Sequence, residues 1–207
     1  MIINQTMKLN FYLFIVTSLL FASCKNKPAQ TSVDNYEKIL TERENSAAEA
    51  QTNVTGDLQK TIAFEVKADV KDFADGIQPW ASVEKPEKDL PNLVDKTETV
   101  ILDQNITIII DYPLLNKYQF DLKSQNGFNR ETLLTEISKH YYKLYAEEEK
   151  TATVKTIPME KRTMYNRNET NGKYRIWGHD IADLVLTEIQ VYKTKNGKTI
   201  LTLGIDS

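Results

Sequence analysis

Apolar and polar residues alternate without a break from Thr61 to Val70. Ile62, Phe64, Val66, Ala68 and Val70 fall on one side, and Ala63, Glu65, Lys67 and Asp69 on the other. A period of two over ten residues predicts a strand with one face buried. The same reading gives strands at Glu98–Leu102 and Ile106–Asp111, separated by the turn Asp103-Gln104-Asn105, and another where Tyr118, Phe120 and Leu122 alternate with Gln119, Asp121 and Lys123. Between the first and second of these, Pro79, Pro86 and Pro91 punctuate the chain, which leaves Trp80 and Val83 for a short edge strand. Leu184–Lys193 and Thr199–Ile205 flank Asn196-Gly197, a dipeptide suited to a type I′ hairpin turn.

The period changes once, decisively. Leu133, Leu134, Ile137, Tyr141, Leu144 and Tyr145 recur three and four apart and form the stripe of an amphipathic helix running to about Glu149. Asn129 can cap it, and Phe128 with Leu133 can staple its first turn. The acids at its end oppose the helix dipole, so fraying is expected there. The sum is an α+β fold: an antiparallel sheet of five or six strands with one long helix packed on a face. Residues 61–207 make this single domain. Residues 24–60 are polar and read as a flexible tether, within which Asp34 to Gln51 has helix-forming composition but only Tyr36, Ile39 and Leu40 as an apolar set.

Before the tether the pattern is of a third kind. Lys8 precedes an apolar run from Phe11 to Ala22, 12 residues long, against the roughly 20 that span a bilayer. Small residues follow, and then Cys24, the single cysteine of the chain. A cation, an apolar stretch and a small-residue cleavage site in that order make residues 1–23 an export signal. The residues ahead of Met7 carry no charge, so translation is expected to start at Met7.

Leu20-Phe21-Ala22-Ser23-Cys24 resembles the lipobox of bacterial lipoprotein precursors. Ser23 makes it most similar to those of the Bacteroidetes, and Phe21 stands where that family prefers Leu. The resemblance covers about the first tenth of the chain. It implies a thioether-linked lipid on Cys24, cleavage before it, and palmitate-like acylation of the new amine. The expected location is the cell envelope, anchored to the outer membrane with the periplasmic face favoured. Two or three acyl chains hold a protein stably where one does so marginally.

Removing residues 1–23 deletes one lysine and no acid, leaving 25 basic and 29 acidic residues, a formal charge of −4. That balance, with export, argues against nucleic acid as a partner. Charge is nonetheless uneven. Residues 150 to 176 hold seven cations and two acids. The same long loop carries Tyr165, Arg167, Arg175, Trp177, His179, Asp180 and Asp183. Arg167 and Arg175 could grip a carboxylate or phosphate bidentately, with Trp177 and Tyr165 as apolar contacts. The competing reading of this loop is structural: Trp177 in the core, and Asp180 or Asp183 capping a turn.

Catalytic chemistry has thinner support. His179 with Asp180 or Asp183 could form a general base, yet no nucleophile-elbow pattern accompanies them. Glu136 and His140 lie one helical turn apart, but H-E-x-x-H is absent, and no metal or cofactor is expected. Tyr141, Tyr142 and Tyr145 could form an aromatic platform, though the first and last lie on the apolar stripe. The sequence therefore predicts a membrane-anchored, non-catalytic binding or assembly module that uses the loop 160–183 on an envelope protein or anionic ligand. The alternative is an envelope hydrolase using His179 with Asp180 or Asp183.

Overall fold

In the computed structural model, residues 29–50, 54 and 56–207 are described. The expected export signal, Cys24 and the first residues of the expected tether lie outside them. The chain runs through α1 (Ala29–Ala50), β1 (Asp57–Ala63), β2 (Val66–Lys67), β3 (Ile77–Gln78), β4 (Ala81–Ser82) and a single helical turn α2 (Pro86–Asp89). It continues through β5 (Thr99–Ile101), β6 (Asn105–Ile110), β7 (Tyr118–Lys123), β8 (Phe128–Asn129), α3 (Arg130–Thr151), β9 (Val185–Lys193) and β10 (Thr199–Asp206). The fold is α+β, with a six-stranded sheet in the order β1-β9-β10-β6-β7 and β4 added beside β9.

Alternation explains which face is covered. Ile106, Ile108 and Ile110 of β6 are buried, as are Leu186, Ile189 and Val191 of β9 and Leu201, Leu203 and Ile205 of β10. α3 lies over β7: the His140 ring stacks on Phe120 at 3.5 Å between centroids, and its Nδ1 meets the Tyr118 hydroxyl at 2.6 Å. Leu133, Leu134, Ile137, Tyr141 and Leu144 are all fully buried. The Asn129 side chain accepts the N–H of Thr132 at 2.8 Å, the cap that the sequence predicts.

Four expectations are revised. The sheet is antiparallel except at one place, where β10 runs parallel to β6 from Thr199 beside Ile106 to Thr202 beside Ile109. The strand expected through Val70 leaves β9 after Phe64 and ends at Lys67. There the Asp69 carbonyl accepts the N–H groups of Asp72 and Phe73, and Val70 turns out to solvent. β5 and β6 both form but do not pair, because β5 pairs with β8. In the final hairpin only Gly197 has positive φ, at 78°, so the turn is not type I′; Gly197 donates to the Thr194 carbonyl at 2.9 Å and supplies the left-handed residue.

The largest departure is in the expected flexible tether. Residues 29–50 form a helix of 22 residues, and Leu40 is buried in the main core. An isolated helix of that polarity is marginal in water. α1 is held by contacts far away in sequence: the Tyr36 hydroxyl donates to the Arg167 carbonyl at 2.7 Å, Arg43 pairs with Glu169 at 2.6 Å, and Glu44 meets His179 at 2.7 Å. Among the described residues, no helix is long and apolar enough to cross a membrane.

Candidate functional site

The loop between α3 and β9 closes over one end of the sheet, and the parallel pair decides which end. Because β6 and β10 run in the same direction, their C-terminal ends lie together. Tyr112, two residues past β6, meets Ser207, one residue past β10, at 2.8 Å between hydroxyls. α1 and the loop both cover this end.

Glu148 shapes the stretch of the loop from Thr170 to Arg175. Its carboxylate is fully buried and accepts four donors: the Thr170 hydroxyl at 2.7 Å and the N–H groups of Gly172, Tyr174 and Arg175 at 2.8, 2.7 and 3.2 Å. Burial pushes this carboxyl up, and the four donors together pull it further down, so it sits below the ordinary glutamate value of 4.5. A Cβ at Gly172 would lie 2.7 Å from that carboxylate, which explains why glycine stands there. The wrap also places Arg175 in the left-handed region, at φ 54°. The expected fraying is thus replaced by a bond network: Glu147 binds Lys173 at 2.8 Å as well, and the helix continues to Thr151.

Arg162 and Asp180 tie the early part of the loop to its end. The guanidinium donates two bonds to the Asp180 carboxylate, at 2.7 and 3.0 Å, and others to the carbonyls of Ile157 and Tyr165. Arg167 approaches the same carboxylate at 3.5 Å, with its guanidinium over the Tyr145 ring. Asp183 ends a 3₁₀ turn and accepts the Asp180 N–H at 2.8 Å.

His179 faces α1. Its Nε2 lies 2.7 Å from Glu44 Oε1, and the Ser207 hydroxyl lies 3.5 Å from the same nitrogen. Glu44 also accepts from the Tyr112 hydroxyl at 3.0 Å. Burial is the main reason that hydroxyl is pushed well above the ordinary tyrosine range. Carboxylate and serine share one ring nitrogen, so the imidazole cannot take a proton from Ser207 there while Glu44 orients it from the opposite nitrogen.

The structure therefore separates the predicted residues. His179 and Asp183 line one open cleft with Tyr165 and Ser207, but their polar atoms are turned to Glu44 and to the Asp180 N–H, and Asp180 is turned to Arg162. Trp177 is buried, edge-on to Tyr112 at 5.4 Å. Arg167 has a side chain only 5% exposed, unlike the open grip expected of it. Arg175 is half exposed and pairs with Glu169 at 2.7 Å, while Tyr165 is exposed. His140 is taken up by Tyr118 and Phe120; burial chiefly, then Lys143, holds it below the ordinary imidazole range. Tyr142 is the exposed member of the helix tyrosines and donates to the Glu84 carbonyl at 2.8 Å.

Glu44 and Glu148, the two acids that organise the region, carry no signal in the sequence. One lies in a polar stretch without strong periodicity, the other in a run of three glutamates at a helix end. Among the described residues, no three His, Cys, Asp or Glu side chains come together as metal ligands. Compared with models of known protein families, with curated proteins and with solved structures, the chain finds no match.

Proposed function

We propose that this chain is an envelope lipoprotein, anchored through lipid on Cys24, whose folded domain is a non-catalytic binding or assembly module. The observation that carries the reading is how the loop spends its polar groups. His179, Asp180 and Asp183 each engage a different structural partner: His179 fastens α1 through Glu44, and the two aspartates brace the loop itself. Such groups are poor candidates for proton transfer, which needs a base free to meet a substrate. What the loop leaves outward is contact chemistry: the half-exposed Arg175 guanidinium, Lys173 beside it, and the exposed Tyr165 ring.

Two measurements test the proposal. A Cys24→Ser variant should move from the membrane fraction to the soluble fraction of the cell, since the lipids supply the hold. A variant that still sediments with membranes would remove the anchor. A photoreactive group at Arg175 in the anchored protein should give a discrete crosslinked product in native envelopes. An anchored protein that yields none would defeat the binding reading.

A further inference from the structure

Of the nine large apolar side chains exposed among the described residues, four fall within twelve residues of one loop: Val154, Ile157, Met159 and Tyr165. Single exposed apolar residues are ordinary on a soluble surface, but a cluster marks a contact. This one is built rather than slack. Arg162 pins both ends, donating to the Ile157 carbonyl at 2.7 Å and to the Tyr165 carbonyl at 3.2 Å, and Met159 begins the 3₁₀ turn between them. Lys155, whose ammonium donates to the Glu149 carbonyl at the loop's edge, and Lys161 are exposed on the same loop, with Glu160 the exposed acid between them.

The position of the cluster indicates what covers it. Tyr36, in the first half of α1, lines one cleft with Ile157, Arg162 and Met164, and binds the Arg167 carbonyl. The second half of the helix lies instead at Tyr112 and His179. Seven residues of helix separate Tyr36 from Ala29, about 10 Å at the helical rise. From Ala29 to Cys24 there are five residue steps, a reach of at most about 18 Å. The apolar loop thus belongs to the end of the domain nearest to the lipidated position. Residues such as Leu102, 83% exposed and three residues before β6, belong to the opposite end of the sheet.

We infer that the loop from Val154 to Tyr165 rests on the membrane beside the anchor, with its apolar tips among the lipid headgroups and Lys155 and Lys161 toward lipid phosphates. This goes beyond the proposed function and rests on its anchor. It gives the domain a fixed orientation, with α1 standing as a strut rather than a leash. Apolar tips flanked by lysines suit the interface, where rings and thioethers enter the headgroup layer and ammonium groups stay at its surface.

The single native sulfhydryl makes the test site-specific, because a lipidated Cys24 leaves an introduced cysteine as the sole free thiol. Met159→Cys, Tyr165→Cys and Leu102→Cys are each made in the full-length protein and labelled with a fluorophore. The lipidated products are reconstituted into vesicles of phosphatidylethanolamine and phosphatidylglycerol containing nitroxide-bearing lipid. Probes at Met159 and Tyr165 should be quenched about threefold more strongly than the probe at Leu102, since interfacial groups lie within the nitroxide's reach. Equal quenching at all three sites, on protein that floats with the vesicles and carries lipid by mass spectrometry, overturns this inference and leaves the anchor standing. A bare Cys24 or failure to float overturns the anchor, and the inference falls with it. A photoreactive group at Met159 that captures protein instead of lipid in native envelopes also overturns the orientation.

Discussion

Glu148 shows how one side chain can define a loop. Four donors converge on a fully buried carboxylate, and replacing it with alanine leaves the Thr170, Gly172, Tyr174 and Arg175 donors without that acceptor. Glu148→Ala should lower the unfolding free energy by about 3 kcal/mol, read from urea denaturation, since buried donors left unmade cost about 1–3 kcal/mol each and some recover water. The pH dependence has a definite sign. The folded carboxyl lies below 4.5, so its stabilisation is in full force above 4.5 and is lost as the pH falls through the lower folded value. Glu148→Gln should therefore flatten the acid limb of the stability curve below pH 4.5. An acid limb as steep as in the parent would show that the carboxylate is not the group being protonated. Little of this was legible beforehand. The loop's Trp, His and Asp residues could be singled out by type, but type does not reveal a partner: Trp177 went to the core and Asp183 to a turn, as the structural reading of the loop had it.

Among elements, α1 is the informative case. Composition was enough to place a helix between Asp34 and Gln51, and the structure has one over Ala29–Ala50. Its docking was hidden because the partners lie more than 100 residues away and are mostly polar: Tyr36 to Arg167, Arg43 to Glu169, Glu44 to His179. Hydrophobic periodicity registers burial, and among the described side chains of α1 Leu40 alone is deeply buried. Leu40→Ala should cost about 2 kcal/mol, the low end for a buried leucine, because the helix can detach locally. The expected signature is faster amide hydrogen exchange across α1 with little change in α3. Unchanged protection of α1 would mean that the polar contacts alone hold it. α3 behaves oppositely: stripe, cap and staple are all local, so it was legible almost to its last turn.

At the scale of the molecule, alternation identified most strands of the sheet but could not give their neighbours. A period of two records which side of a strand is buried and is silent about direction. The parallel pairing of β6 and β10 therefore came from the structure, and with it the meeting of Tyr112 and Ser207 beneath α1. That strand order also bears on synthesis. β10 follows the other nine strands in the chain, yet it lies between β9 and β6 and bonds to both. Until residues 199–206 leave the ribosome, β1 with β9 and β6 with β7 remain two separate ribbons, each showing a raw edge. The sheet consequently becomes continuous only when β10 is inserted between β9 and β6. A premature stop ahead of Thr199 would release a product whose unjoined edges invite aggregation rather than a smaller working domain.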